Sequence, residues 1–311
     1  MNNETLQVIL QKCDRYDRFA IAAHVEMVAD RLGGFGPLYG TTVLLKPNLI
    51  SSSRTPCVCT HSEFIAGVTS WFLDQGARVF LGDSPAFGKT GKVCHALGIV
   101  EGLRGMDVRF VDFVTPVKKK LAGGVTVPVA REALECDLFV NMPKIKAHNQ
   151  MFVSLAVKNI FGIVKGANKA KLHMVHGASH EQFSAVILDL LSVLPPQLHL
   201  ADGIEAMHRS GPLDGCSLLL NCMAAARCPV ALDTAILDLL ELDLRKSPLW
   251  LLASKRMMAG SDRRNITYPL LSPEDFQNSG FIAPGHLNGI RFHPARFLGG
   301  MVKRVFLRVC R

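Results

Sequence analysis

A chain of 311 residues, 49% of them hydrophobic, is long enough for one large α/β domain or two smaller ones with a sizeable core. No apolar run approaches the roughly 20 residues that a membrane-spanning helix needs, and the N-terminus lacks the order of a signal peptide, so we expect a cytoplasmic protein without a transmembrane segment. The net charge of +9 favours an anionic partner, and nucleic acid is the weaker candidate because aromatic residues do not alternate with basic ones.

The spacing of the nine cysteines argues against a metal cluster. The closest pair is Cys57-Val58-Cys59, and no Cys-x-x-Cys occurs, whereas a ferredoxin-type cluster needs several cysteines at short spacing. We therefore expect neither an iron–sulfur cluster nor a thiolate zinc site, and we expect free thiols that pack as small hydrophobic groups.

The first elements in chain order are predicted to be a helix, a strand and a helix. Apolar residues near helical spacing indicate a helix over residues 4–32. A strand over residues 41–45 ends at Lys46-Pro47-Asn48. Thr60 is the expected N-cap of a second helix, which ends at Gln75-Gly76.

The next elements alternate between strand and helix. We expect a strand over 77–81 that ends in Gly82-Asp83-Ser84, a strand over 108–113, an antiparallel hairpin over 117–129 and a strand over 137–142. This order predicts an α/β fold, a mostly parallel sheet with helices on both faces.

The C-terminal part continues the pattern. Helices are expected over 183–194, 230–242 and 248–258, a strand over 198–201 ends at Asp202, and a further strand covers 218–225.

Two lobes are expected, with the functional site between them. Residues 1–195 would form an N-terminal α/β lobe that carries the basic central motif. Residues 196–311 would form a C-terminal α/β lobe whose basic amphipathic tail, 299–311, either contacts a membrane surface or docks on the fold.

The central stretch from Asp137 to His180 is the strongest candidate for a site, because no Asp or Glu occurs between Asp137 and Glu181. Pro143 ends an apolar strand, since proline cannot donate to a β-ladder, and Lys144 and Lys146 follow. Ligands of α/β proteins bind at the carboxyl ends of strands, so a basic ligand site is expected here; a solvated basic loop is the alternative.

Residue types in and around this stretch suggest roles. Lys144, Lys146 and Lys158 can bind a carboxylate or phosphate as point charges, and His148 can act as a general base or a metal ligand. His173 and His176 are three residues apart on one helical face, which suits a metal. The other candidate ligand-binding residues are Lys46, Asn48, Asp83, Ser84, Asn159 and Asp202.

Lys158 is singled out by its apolar neighbours, which would desolvate it, lower its pKa and favour a nucleophilic or covalent role. The alternative is a lysine that extends from an apolar helix face to water.

Four motifs follow one another at predicted strand ends: Lys46-Pro47-Asn48; Gly82-Asp83-Ser84; Pro143-Lys144-Ile145-Lys146-Ala147-His148 with Lys158-Asn159-Ile160-Phe161-Gly162; and Asp202-Gly203-Ile204 with Gly211-Pro212-x-x-Gly215. Together they resemble the domain-of-unknown-function 362 family over roughly residues 40–240. Many members of that family carry a ferredoxin-type iron–sulfur module, whose cysteines this chain lacks.

A more distant similarity is to the nickel-dependent lactate racemase family. That resemblance implies a histidine at His148, a lysine at Lys158 that carries a covalent nickel-pincer cofactor, and a nickel-ligating histidine at His173 or His176. The glycine-rich run before the racemase lysine is replaced here by Ser154-Leu155-Ala156-Val157.

Three functions remain open at this point. The first is an enzyme that acts on an anionic small molecule, a hydroxy or keto acid or a phosphate-bearing compound, by proton abstraction or redox chemistry, with a divalent metal as an option. The second is a protein that binds such a ligand or a cofactor without turnover. The third is an accessory subunit of an iron–sulfur system, with a redox partner protein.

Overall fold

The computed structural model describes residues 6–52, 57–85 and 88–290, and its main feature there is a large twisted sheet with helices on both faces. The strands are β1 (Leu6–Lys12), β2 (Thr42–Pro47), β3 (Arg78–Asp83), β4 (Val108–Asp112), β5 (Pro116–Lys120), β6 (Thr126–Ala130), β7 (Leu138–Met142), β8 (Lys144–His148), β9 (Phe152–Ser154), β10 (Gln197–His208), β11 (Cys216–Ala226) and β12 (Ile266–Thr267). The helices are α1 (Arg18–Arg31), α2 (Ser62–Asp74), α3 (Thr90–Ala96), α4 (Ile99–Gly102), α5 (Arg131–Glu135), α6 (Ala156–Ile160), α7 (Ala167–His176), α8 (His180–Asp189), α9 (Pro229–Leu239) and α10 (Pro248–Lys255).

The sheet is mostly parallel, as predicted. Its order is β12-β1-β11-β10-β7-β2-β3-β4, and β8 pairs with β10 beyond the end of β7. Strands β10, β7, β2, β3 and β4 are mutually parallel, whereas β11 is antiparallel to both of its neighbours. Strands β5 and β6 form the predicted hairpin.

Alternation along the strands builds a core on each face of the sheet. Val43 and Leu45 of β2 pack with α1 and α2, whereas Leu44 packs on the opposite face with α8 and α10. Successive side chains of a strand point to opposite faces, so strands that are apolar on both sides must be covered on both sides. The predicted α/β architecture is confirmed.

The helix predicted over residues 4–32 was wrong in its first part. Residues Leu6–Lys12 form β1, which pairs with β11, and only Arg18–Arg31 are helical. Val8, Ile9 and Leu10 are all fully buried. A short apolar run fits a buried strand as well as a helix. These residues form a strand because their backbone hydrogen-bonds with the edge of β11.

The start of α2 also differs from the prediction. His61 rather than Thr60 is the N-cap, and its Nδ1 accepts from the Glu63 backbone N–H at 3.2 Å. The Thr60 hydroxyl instead accepts from Asn48 N at 2.8 Å and donates to Met142 O at 2.8 Å, which ties the loop before α2 to the ends of β2 and β7.

The residues after Pro143 form a strand rather than a basic loop. Lys144–His148 are β8, and all five residues are buried. Asp202, expected at the end of a strand, lies inside β10, where it pairs with Lys144. The lysines of the motif are therefore interior groups, and solvation by bulk water does not explain them.

Strands from either side of residue 195 pair directly, since β10 lies between β7 and β11. The division of the chain into lobes 1–195 and 196–311 stays a prediction. The amphipathic tail over 299–311 lies outside the described residues. Within the described ranges, none of the helices has the length and apolar character needed to cross a membrane.

Candidate functional site

The carboxyl ends of two neighbouring parallel strands bring together a buried ion pair. Lys46 lies near the end of β2 and Asp83 at the end of β3, and Lys46 Nζ is 2.9 Å from Asp83 Oδ1 with both side chains essentially inaccessible to solvent. The carboxylate also accepts from Leu49 N and Ser84 N, each at 2.8 Å. Burial lowers the pKa of Lys46, although the Asp83 charge opposes this shift.

Gly162 is the residue that lets this pair approach the backbone. A Cβ at this position would overlap the Lys46 ammonium and Asp83 Oδ1. The motif Lys158-Asn159-Ile160-Phe161-Gly162 therefore ends in glycine because a side chain there would collide with the ion pair.

A row of amide side chains connects the ion pair to a second lysine. Asn159 Oδ1 accepts from Lys46 Nζ at 3.3 Å and from Asn48 Nδ2 at 2.8 Å. Asn159 Nδ2 in turn donates to Asn141 Oδ1 at 2.8 Å, and Asn48 Oδ1 accepts from Lys146 Nζ at 2.6 Å. These four residues and Lys46 form one hydrogen-bonded network, which fixes the orientation of each amide.

Lys144 belongs to a separate buried pair. Its Nζ is 3.0 Å from Asp202 Oδ2 and 2.6 Å from the hydroxyl oxygen of Tyr16. The Tyr16 hydroxyl donates to Asp202 Oδ1 at 2.9 Å, and the His61 backbone N–H donates to Oδ2 at 3.0 Å. The Tyr16 ring stacks on the His61 ring at 3.7 Å between centroids. Lys144 is thus neutralised within the fold.

Lys146, two residues further along β8, has no carboxylate partner among the described residues. Its Nζ donates to Asn48 Oδ1 and to Val58 O at 2.7 Å, which leaves one of its three protons without an acceptor in that part of the chain. Burial, and to a smaller extent the charge of Lys144, lowers the pKa of Lys146 to about 8.

Ser84 supports the first turn of α7 at the edge of the site. Its Oγ accepts from Gly166 N at 3.0 Å, and its backbone carbonyl accepts from Lys169 Nζ. Burial lowers the pKa of Lys169 to about 8.

Lys158 of α6 differs from these lysines because no hydrogen bond to its Nζ occurs within the described residues. The ammonium lies 4.8 Å from the centroid of the Phe161 ring and 5.8 Å from that of Phe183. Burial, followed by the charges of Lys169 and Lys146, lowers its pKa to about 7. An amine in these surroundings is uncharged in a large fraction of molecules at neutral pH.

His148 is held in one tautomer by the turn that follows β8. Its Nδ1 accepts from Gln150 N at 3.1 Å and from Met151 N at 3.2 Å. Burial, and then the charge of Lys158, lowers its pKa well below the ordinary value, so the ring is neutral. With Nδ1 as acceptor, the proton of the neutral ring is on Nε2, and the hydrogen-bond network assigns His148 as a donor.

His173 of α7 completes this group, because its ring contacts Phe161 and Phe183, the two rings that also lie beside Lys158 Nζ. Its Nδ1 faces Ile290 O at 3.3 Å, and its ring packs 4.4 Å from that of Phe183. Burial lowers the pKa of His173 to about 4. His176 is not among the groups that act on His148 or Lys158.

These residues do not fit as ligands to the metal ion of a nickel-pincer site. His148 presents an N–H rather than a lone pair, and the described residues contain no group of three or more His, Cys, Asp or Glu side chains placed to hold a metal ion. We therefore derive no step through a metal. The metal role of His173 and His176 stays a prediction.

Four site residues were missed in the sequence. Tyr16 and His61 lie far from the central stretch and gave no signal. Asn141 interrupts the apolar strand β7, and Asp233 interrupts the apolar helix α9, where its carboxylate accepts from the first backbone N–H groups of α6. A polar residue inside an otherwise buried element was the signal that could have identified both.

Comparison with known proteins gives relatives for most of the chain. Thylakoid-associated protein sll1697 from Synechocystis sp. (strain ATCC 27184 / PCC 6803 / Kazusa) is 30% identical over 305 residues, which cover 97% of this chain and 95% of that protein.

Two solved structures are also similar. The lactate racemase apoprotein from Thermoanaerobacterium thermosaccharolyticum has 14% identity and a TM-score of 0.43 over 65% of this chain and 52% of that one. A Thermotoga maritima protein has 12% identity and a TM-score of 0.44 over 64% of this chain and 53% of its own. The chain thus spans about half the length of these solved structures.

The profile of a family described as a domain of unknown function, DUF362, matches residues 43–238, which include every strand-end motif described above. The chain belongs to the domain-of-unknown-function 362 family, as its motifs predicted.

Proposed function

We propose that this protein is an enzyme that binds a small anionic hydroxy or keto acid and catalyses proton transfer at a carbon adjacent to its carbonyl or carboxyl group. Two groups that interact electrostatically in a site with excess positive charge carry the proposal: the amine of Lys158, which lies beside the Phe161 ring without a hydrogen-bond partner among the described residues, and the neutral imidazole N–H of His148. Three steps support it.

Positive charge exceeds negative charge in the site. Five lysines face two carboxylates, so three positive charges remain when all are ionised. The groups are Lys46, Lys144, Lys146, Lys158 and Lys169 against Asp83 and Asp202. Buried charges are normally paired, and an anionic ligand would supply the missing partner. Lys146, which has one Nζ proton without an acceptor among the described residues, is the ammonium that we expect to contact a substrate carboxylate.

The neutral N–H of His148 would donate to a substrate oxygen. A neutral imidazole that donates from Nε2 polarises a carbonyl and stabilises the negative charge that develops on its oxygen. This role differs from the general base expected from the sequence, because Nδ1 is already occupied by two backbone N–H groups.

Lys158 is then the proton acceptor. A base works best when its pKa lies near the working pH, and the pKa of about 7 places Lys158 there. The charges that lower the pKa of Lys158 are those of Lys169, Lys146 and Lys46. The same group of lysines would attract the anionic substrate.

Exchange of substrate hydrogen for deuterium tests the proposal. The full chain would be incubated in D2O with a panel of hydroxy and keto acids, and loss of the proton signal at the carbons adjacent to the carbonyl or carboxyl group would be followed by NMR. We expect exchange with at least one acid, and its loss in Lys158→Met.

Lys171→Met is the matched control, since Lys171 is an exposed lysine of α7 in the same basic stretch and should exchange like the wild type. Binding of a panel acid without exchange would refute the catalytic role and favour a binding protein. Exchange that survives in Lys158→Met would refute the role of that residue.

Location and partners stay predictions. The name of the Synechocystis relative associates that protein with thylakoids, whereas the sequence led us to expect a cytoplasmic protein. Cell fractionation followed by immunoblotting decides between a membrane-associated and a cytoplasmic pool, and co-purification tests for a redox partner protein.

A further inference from the structure

We propose that Lys158 forms an imine with the carbonyl carbon of a small 2-oxo acid. This inference rests on the proposed function, since it names the substrate class and the covalent chemistry of the same site.

Lys158 is the lysine of this cluster that is placed as a nucleophile. Lys46, Lys144, Lys146 and Lys169 each donate to at least one protein oxygen, so the fold holds their nitrogens in place. For Lys158, no such acceptor occurs in the described ranges, and aromatic rings lie beneath its Nζ instead. The lone pair of an amine in this position is free to attack an electrophile.

The surroundings favour the reactive form of this amine. A lysine that is desolvated and placed beside other cations loses its proton more readily, and this is a recognised way to activate a lysine for attack on carbonyl substrates. The described structure has both conditions: the Phe161 and Phe183 rings exclude water on one side, and Lys169 and Lys146 act on the amine electrostatically.

A 2-oxo acid complements the remaining groups. Its carboxylate matches the free N–H of Lys146, and its carbonyl oxygen matches the Nε2–H of His148. Both functional groups are adjacent in a 2-oxo acid, and Lys146 and His148 lie on one short strand, β8. A hydroxy acid offers the same carboxylate but no electrophilic carbon.

The chemistry balances without an oxidant or reductant. The Lys158 nitrogen forms a bond to the carbonyl carbon while the carbonyl electron pair moves to oxygen. Two protons leave nitrogen for that oxygen, which departs as water, and a C=N bond remains. Protonation of this imine withdraws electrons from the adjacent carbon, so a proton passes from that carbon to solvent water more easily than from the free acid. In the imine the Lys158 nitrogen withdraws electrons and no longer accepts the proton itself.

Borohydride trapping tests the inference. The full chain would be incubated with pyruvate and sodium borohydride and then analysed by intact mass and peptide mapping. We expect a mass increase equal to pyruvate less one water plus two hydrogens, located on Lys158. Lactate, which lacks the carbonyl group, should give no adduct.

Variants locate the chemistry. Lys158→Arg keeps a charge but not the nucleophile, Lys158→Met suits the surrounding rings, and both should lose the adduct. Lys171→Arg should keep it. An adduct confined to other lysines, or no adduct in the wild type, would overturn the inference.

The hydrogen exchange experiment separates the two levels of the proposal. Exchange of the pyruvate methyl hydrogens that depends on Lys158 but gives no trapped adduct would leave the proposed function standing and reject the imine. A Lys158 adduct without exchange of any panel acid would support the imine and reject the proposed proton transfer. Neither adduct nor exchange with any acid would reject both.

Discussion

Asp233 is expected to hold the helix that carries Lys158 in position. This buried residue of α9 accepts from Ala156 N at 2.7 Å through Oδ1 and from Val157 N at 3.2 Å through Oδ2. These are the first two residues of α6, whose third and fourth are Lys158 and Asn159. Replacement of Asp233 by alanine should therefore loosen both functional side chains.

The magnitude follows from the two donors left without acceptors. A buried N–H without a partner costs about 1–3 kcal/mol, which gives roughly 2–6 kcal/mol for the pair. Part of this is offset because the buried carboxyl is itself unfavourable as an ion, as its pKa of about 8 indicates. We expect the free energy of unfolding to fall by about 2–4 kcal/mol in Asp233→Ala.

Urea unfolding of the wild type, Asp233→Ala and Asp233→Asn measures this difference. The asparagine variant keeps a carbonyl oxygen for one N–H group and should lose less stability than the alanine variant. A loss below about 0.5 kcal/mol in Asp233→Ala, the size of an ordinary surface substitution, would refute the reasoning.

The pH dependence of the same comparison gives a second check on Asp233. Burial raises the folded pKa from 3.8 to about 8, so between these values the folded state binds more protons than the unfolded state. The stability of the wild type relative to Asp233→Asn should then decrease as the pH rises through this range. An increase would show that the carboxyl is ionised in the fold.

Other features give three more predictions. Gly162→Ala should displace the buried Lys46–Asp83 pair and lower the melting temperature strongly, since breaking such a pair costs about 3–5 kcal/mol; an unchanged melting curve would contradict the close packing. Stability should decrease as the pH falls below 6.5, because burial lowers the folded pKa values of His199 and His173 to about 3 and about 4 and only the unfolded imidazoles take up protons; urea titrations at several pH values would detect the opposite trend. Thiol titration in denaturant without reductant should detect nine free thiols, and mostly paired cysteines would disprove this.

Local patterns predicted much of the fold because the relevant forces act between near neighbours. The alternation of apolar strands with amphipathic helices was sufficient for a parallel sheet covered on both faces. Lys46 and Asp83 were named as candidate ligand-binding residues because each stands where a strand ends, and in the structure they form an ion pair. Strand ends in a parallel sheet share one edge whatever the rest of the chain does.

Prediction from local sequence failed where the same residues are compatible with two kinds of secondary structure. Val8, Ile9 and Leu10 suit a helix or a buried strand, and pairing with β11, more than 200 positions away, made the choice. Lys144–His148 were expected to lie beyond the end of a strand, as a basic ligand site or, alternatively, a solvated basic loop, yet they form a strand that pairs with β10 and is buried. Pairing with a distant strand is a property of the assembled sheet.

The sequence by itself determined the family, the α/β class and the stretch in which the basic residues are concentrated, since these depend on residue types and their spacing. Only the tertiary structure decided what each charged group does. Lys144 and Lys146 are two residues apart and both buried, but Asp202 neutralises the first, whereas the second donates to neutral oxygens, of Asn48 and Val58, and meets no carboxylate within the part of the chain that the structure describes. Their difference comes from residues at least 58 positions away, because hydrogen-bond partners and loss of water are set by packing.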